Sequence, residues 1–290
     1  MKPALYTVTE FSLASEFLKA CQDILAENET QNNLILGLSL RLKEDLHAYG
    51  EAMPLLCLVR DEWHEIQAAG VMTPPFPLVV FSQPINHQAL QALVDYLAAS
   101  DWQISGVNGV AETSDTFARI WTQKTGERAK PVMNLRAYEL RSVEKLNYPS
   151  GRMRQAHKDE AQLVADMLNA MGDEVMQGPR RLITAQSHIL PIERGNVFFW
   201  EDDSKVVSIT VANRPQVTSI CISGVYTPPD FRKRGYARAL VAEVSKEMLA
   251  RGYKLTNLFT DLSNPTSNKI YQEVGYKPVC DYHQNEFVKE

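Results

Sequence analysis

Between residues 218 and 251 the chain passes from a strand-like run to a helix-like run through a turn that holds three cations and a glycine. Thr218 to Tyr226 reads as an apolar strand. Tyr236 to Arg251 sets Ala237, Leu240, Val241, Val244 and Met248 at helical spacing, and Gly252 ends it. The turn is Arg232-Lys233-Arg234-Gly235-Tyr236-Ala237. Strand, glycine turn and helix start together fit an α/β fold and form a physical recipe for holding phosphate. A helix N-terminus offers unpaired N–H groups and the positive end of the macrodipole. Gly235 can take a positive φ and brings no Cβ between backbone and ligand.

A second segment, Asn264-Pro265-Thr266-Ser267-Asn268-Lys269-Ile270-Tyr271-Gln272-Glu273-Val274-Gly275-Tyr276, is a complete short helix by its chemistry. Asn264 suits the N-cap, Pro265 the first helical position, and Gly275 a left-handed residue past the C-terminus. Ile270, Tyr271 and Val274 share one face, so Tyr271 also suits a plain core position.

The first motif resembles the pyrophosphate loop of the GCN5-related N-acetyltransferases (GNAT), Q/R-x-x-G-x-G/A. The second resembles that family's N-x-x-A-x-x-L-Y-x-x-x-G-F. They occur in family order, separated by a helix and a strand at Leu255 to Leu262, and the resemblance covers residues 151–290. The layout agrees. A strand from Gly151 to Ala156 precedes helices at Lys158 to Met171 and Pro179 to Leu190. Strands follow at Asn196 to Trp200, Lys205 to Asn213 and Thr218 to Tyr226, and after the two motif helices a last strand runs Lys277 to Val288.

The first half repeats this rhythm without the motifs. Helices read at Ser12 to Ala26 and Gln31 to Leu46, strands at Pro54 to Arg60, Glu65 to Met72 and Leu78 to Ser82, then a helix from His87 to Ala99. A strand at Ile104 to Val110, a helix from Ser114 to Thr125 and a strand at Val132 to Leu140 complete it. Where the cationic loop stands in the second half, the first has Ser82-Gln83-Pro84-Ile85-Asn86-His87, with no glycine, no lysine or arginine, and a proline that removes a donor. Trp121 stands near the place of the motif tyrosine. The expected architecture is α/β (α+β), with two tandem acyl-CoA N-acyltransferase-like domains, each a mixed, mostly antiparallel sheet flanked by helices. Residues 1–145 form the degenerate domain and 146–290 the motif-bearing one, the boundary falling in the polar stretch Arg141 to Tyr148. An unrelated α/β domain is the alternative for the first half.

Net charge is −5, against a general nucleic-acid surface, so the cations of 232–234 are a local feature. No apolar run approaches the ~18 residues of a membrane span, and Met1-Lys2-Pro3-Ala4 opens no secretory pattern. Four scattered cysteines and no histidine pair at ligand spacing indicate reduced thiols, no metal site and a cytoplasmic setting.

The resemblance implies acetyl-CoA as co-substrate, its pyrophosphate on Arg232, Lys233, Arg234, Gly235, Tyr236 and Ala237. It implies that the main chain of Val225, Tyr226 and Thr227 pairs with pantetheine like an added strand. One of those N–H groups would face the developing oxyanion. Asn264 and Ser267, the latter in place of the family's alanine, would contact the pantetheine arm, and Tyr271 would protonate the leaving thiolate. The strand before the loop carries no carboxylate, which leaves water or Asp261 as the base. Glu174 and Asp173, in the loop between the first two helices, could meet a cationic amine or simply form an exposed acidic loop. The expected activity is acetyl transfer to a primary amine of a small molecule, the first domain shaping the acceptor cleft. A CoA-binding sensor without chemistry, or transfer of another acyl chain or to another acceptor, stays open, as does oligomeric state.

Overall fold

The computed structural model describes residues 5–175 and 182–289. In chain order its elements begin with β1 (Thr7–Glu10), α1 (Ala14–Ala26), α2 (Asn33–Glu44), β2 (Leu55–Arg60), β3 (Ile66–Met72), β4 (Leu78–Phe81), α3 (His87–Ala98), β5 (Gly106–Val110), α4 (Ala111–Thr125) and β6 (Arg128–Leu140). They continue with β7 (Arg152–Gln155), α5 (Ala161–Val175), α6 (Ala185–Glu193), β8 (Val197–Asp202), β9 (Lys205–Asn213), β10 (Ser219–Tyr226), α7 (Tyr236–Ala250), β11 (Leu255–Asp261), α8 (Pro265–Val274) and β12 (Lys277–Val288). The chain forms two units. One gathers Met1–Ala137, Asp261–Ser263 and Val279–Glu290; the other gathers Tyr138–Thr260 and Asn264–Pro278.

In the first unit alternation along β2 assigns the layers. Leu55, Cys57 and Val59 pack with Ala89, Leu90, Leu93 and Phe117 of α3 and α4. Leu56 and Leu58 pack with Phe17, Leu18, Ile35 and Leu36 of α1 and α2. This is the period-2 rule of a strand buried on both faces. Strands run in the order β1-β2-β3-β4-β5-β12. All these pairs are antiparallel except β4 with β5. β1 is four residues long, too short for its alternation to register in the sequence, and pairs Thr7 with Arg60 through Glu10 with Cys57.

The second unit repeats the plan in the order β7-β8-β9-β10-β11, antiparallel except β10 with β11. Phe198, Trp200, Ile220 and Ile222 pack under α7 and α8 with Leu240, Val244 and Val274. Val197, Phe199, Ile209 and Val211 pack under α5 and α6 with Val164, Leu168 and Ile192. Each such fully buried side chain contributes roughly 1.5–3 kcal/mol.

The boundary differs from the expected one. It falls between Ala137 and Tyr138 within β6, and the run 146–290 is not held together, because Val279–Glu290 belongs to the first unit. There β12 pairs Tyr282 with Val110 through Glu286 with Gly106 on β5. Local patterning identifies a strand at the chain's end but not its partner, since partner choice is a long-range property. The helix expected at Pro179 to Leu190 begins outside the described residues, and within them α6 starts at Ala185 and continues to Glu193. α5 runs four residues past the expected Met171, to Val175.

Candidate active site

β10 and β11 pair only from Ser219 with Leu255 to Cys221 with Asn257. Beyond that β10 breaks register against β9 between Ser223 and Tyr226, with Gly224 at φ +61°. A Cβ there would lie 2.9 Å from Leu168 Cδ2, so the bulge also needs glycine for close packing against α5. Past the bulge a cavity of about 890 Å³ opens, lined by β10, the loop after it and α8. Val225, Tyr226, Thr227, Arg232, Lys233, Arg234, Gly235, Tyr236, Ala237, Asn264, Ser267 and Tyr271 all line it.

The loop is shaped by alternating backbone. Lys233 takes φ +63° and Gly235 φ +85° on either side of Arg234, the kind of reversal that turns successive N–H groups into one concavity. Gly235 occupies the N-cap position of α7 and supplies no side-chain cap. The N–H groups of Lys233 through Ala237 find no acceptor among the described residues. Five free donors, three of them at the N-cap and first turn of α7, therefore belong to residues that line the cavity. An added Cβ at Gly235 would meet nothing nearer than 3.8 Å, so what the residue supplies is φ and clearance. Tyr236 contributes backbone only: its ring is buried and its hydroxyl donates to Asp202 Oδ2 at 2.5 Å.

Opposite the loop, α8 begins at Asn264, whose side-chain oxygen accepts Ser267 N–H at 3.1 Å and is thus committed to the cap. Tyr271 lies two helical turns on, its ring edge-on to Tyr276 at 6.0 Å. Its hydroxyl makes no hydrogen bond with another described residue, and burial pushes its pKa well above the ordinary tyrosine value. It is a protonated phenol at the cavity wall. Asp261 uses its carboxylate to accept Ser263 N–H at 2.7 Å, closing the turn after β11, and does not line the cavity.

Sequence reading offered Glu174 as a residue that could meet a cationic amine but placed it in a loop. It lies in the last turn of α5, not in a loop. Arg232 Nη2 donates to both its oxygens at 2.7 and 2.6 Å, and Tyr226 Oη donates to Oε1 at 3.1 Å. The guanidinium also lies 5.7 Å from the Tyr226 ring centre, and its Nε donates to Thr227 O at 2.8 Å. Burial first, then the Glu174 carboxylate, raises the Tyr226 pKa. The signal was present: Val164, Leu168, Met171 and Val175 are spaced 4, 3 and 4, which carries the helix past Met171. Arg238 donates to Glu273 at 2.9 Å, whereas Lys233 and Arg234 form no ion pair among the described residues.

The corresponding place in the first unit is closed by its own side chains. Asn86 Oδ1 accepts Gln88 and Ala89 N–H at 3.1 and 3.0 Å, capping α3. Asn86 N–H donates to Ser82 Oγ at 2.9 Å, and Thr113 Oγ1 donates to Ser82 O at 3.3 Å. β4 and β5 stay close, so that a Cβ on Gly109 would lie 2.8 Å from Val80 O. Trp121 is buried between Phe117 and Phe287, and its indole N–H donates to Glu127 at 2.8 Å. No group of three or more His, Cys, Asp or Glu that could hold a metal occurs among the described residues. No helix among them is long and apolar enough to cross a membrane.

Residues 164–276 match the Acetyltransferase (GNAT) family. No curated protein matches the chain. Among solved structures it is similar to an acetyltransferase from the GNAT family of Colwellia psychrerythraea (TM-score 0.62, 10% identity, 97% of this chain and 100% of that one). A GCN5-related N-acetyltransferase from Sphaerobacter thermophilus gives TM-score 0.60 and 15% identity over 98% of this chain and 96% of that one. A tandem GNAT protein from the clavulanic acid biosynthesis pathway gives 0.57 and 11% over 98% of each. At these identities the likeness is one of fold, and it extends through both units.

Proposed function

Taking residues 164–276 as a GNAT-family domain, we propose that the chain transfers an acetyl group from acetyl-CoA to a primary amine of a small molecule. Family and fold support acyl transfer; the donor's identity and the acceptor class are the proposal. The observation that carries it is the pairing, in one cavity, of an uncapped helix start at Lys233 to Ala237 with the unpartnered phenol of Tyr271.

In this reading the donor's pyrophosphate lies on the N–H groups of 233–237, supported by the unpaired charges of Lys233 and Arg234. The pantetheine arm enters where β10 and β11 have parted and pairs with the main chain of Val225 to Thr227. Asn264 and Ser267 flank it at the start of α8. The amine attacks the thioester carbonyl, an N–H at the β10 bulge meets the developing oxyanion, and the C–S bond breaks. Tyr271 gives its proton to the thiolate, and the amine's proton passes to water in the open cleft. Only the second unit takes the donor, because Asn86 and Ser82 already take up the N–H groups of Asn86, Gln88 and Ala89 at the start of α3.

The test is release of free CoA from acetyl-CoA by the full chain across a panel of primary amines, beside calorimetric titration with CoA. Amine-dependent release supports the reading. Binding without turnover on any amine would replace it with a CoA-binding sensor, and no binding would remove the donor altogether.

A further inference from the structure

Two carboxylates line the cavity, Glu174 and Glu273. Glu273 lies on α8 and is held by Arg238. Glu174 reaches in from α5 and closes on Arg232, the first residue of the loop proposed to hold the donor. Its pair is half-exposed, each side chain at 42%, so both ions remain open to exchange. Arg232 is engaged three ways in this arrangement: forked on Glu174, bonded to Thr227 O and lying against the Tyr226 ring. Thr227 O is one of the main-chain groups that a pantetheine arm would approach.

We propose that Glu174 is a specificity residue that serves the two substrates in turn, competing for Arg232 until the donor binds and then receiving the cationic amine of the acceptor. This rests on the donor reading above. A CoA pyrophosphate presents two negative phosphates to Arg232, a stronger charge-assisted partner than one half-exposed carboxylate. When Arg232 turns to it, Glu174 keeps the Tyr226 hydroxyl bond but loses its counter-charge. A carboxylate that has given up its guanidinium partner favours an ammonium in its place. Donor before acceptor is the resulting order, and amines carrying positive charge are the resulting class. The residue acts by binding; no proton is assigned to it.

Titration of the full chain with CoA tests the exchange in wild type, Glu174→Gln, Arg232→Gln and the double variant. The amide keeps the side chain's volume and its bond to Tyr226, and melting curves check the fold. Glu174→Gln is expected to bind CoA about three- to tenfold more tightly, because the competitor for Arg232 is gone. Arg232→Gln is expected to bind more weakly, and the double variant to match Arg232→Gln. An unchanged or weaker affinity in Glu174→Gln overturns the exchange, as does the same gain without Arg232. No binding by wild type overturns the donor reading, and this inference with it. In steady state with an amine that is turned over, Glu174→Gln should raise the amine KM by about tenfold or more and leave the acetyl-CoA KM unraised. An unchanged amine KM removes Glu174 from acceptor recognition while leaving the donor reading intact.

Discussion

Gly275 lies against the backbone of Ser142: a Cβ added there would sit 3.1 Å from Ser142 O and 3.4 Å from Glu144 N. The same contact, between the segment after β6 and the end of α8, is fastened by Glu144 N–H donating to Val274 O at 2.9 Å. Gly275 also ends α8 at φ +112°. Gly275→Ala therefore meets both backbone strain and a wall that cannot give way as a side chain would. The expected loss is on the order of 2 kcal/mol, read as a lower melting temperature. A melt equal to wild type would show that the 142–144 segment yields.

Gly235→Asp isolates the donor loop from stability. Space at the Cβ is open, and aspartate tolerates the left-handed region better than most residues, so the melt should fall by only about 1 kcal/mol. CoA affinity should drop by a few kcal/mol, the order of an unpaired charge set beside the pyrophosphate. Calorimetry on the full chain is the measurement, and wild-type affinity in the variant would remove the pyrophosphate from this loop.

Tyr271→Phe keeps the ring beside Tyr276 and removes a hydroxyl that holds no hydrogen bond among the described residues. Stability should barely change, whereas kcat should fall by roughly 10²-fold at unchanged CoA affinity. Steady-state kinetics with an active amine, together with a melt, separate the roles. A destabilised variant with full kcat would leave Tyr271 a core residue and nothing more.

Tyr271 and Tyr276 are buried phenols whose pKa values are raised above the ordinary tyrosine value, chiefly by burial. A group whose pKa is raised on folding stabilises fully below its unfolded pKa and loses that contribution as pH rises toward the folded one. Neither tyrosine should make stability depend on pH below about 10, and above that value the chain should unfold progressively. In denaturation at a series of alkaline pH values, Tyr271→Phe should flatten part of the slope. An unaltered slope would assign the alkaline loss to other groups.

Arg154 is forked on Glu160 at 2.8 and 2.7 Å and bonded to Glu201 at 2.6 Å. The guanidinium bond is the first cause that holds the Glu160 carboxyl below its ordinary pKa. A depressed carboxyl contributes stability above its unfolded pKa, the ordinary glutamate value of about 4.3, and loses it as pH falls through the folded one. Arg154→Ala should cost about 1–3 kcal/mol at neutral pH and less in acid. Denaturant melts at pH 7 and pH 3 check this; an equal cost at both would point to lost packing against Phe199 instead.

Much of the site was legible because its chemistry is local. Asn264, Pro265 and Gly275 mark both ends of α8 within twelve residues, and Arg232 to Ala237 is a contiguous turn, so capping rules suffice to place them. Glu174 was legible as a carboxylate that could meet an amine, but not as the partner of Arg232. Its meaning depends on Arg232, fifty-eight positions away, and on α5 outlasting the pattern first assigned to it. β1 is too short to show its alternation. The closure of the first unit's loop was half legible: Ser82-Gln83-Pro84 lacks glycine and cation, but that Asn86 would cap α3 and Thr113 would bind Ser82 O required the fold.

The pairing of β12 with β5 has a consequence for synthesis. The first unit's sheet needs residues 282–286 against residues 106–110, and a ribosome delivers those two strands some 170 residues apart. At the usual rate of about 5–20 residues per second, β5 waits on the order of ten seconds or more with that edge unpaired. The second unit can be complete through Pro278 before the first one closes. A gene cut between the two units would yield two fragments of which the earlier lacks its own last strand, so the chain does not divide into two contiguous, self-sufficient halves.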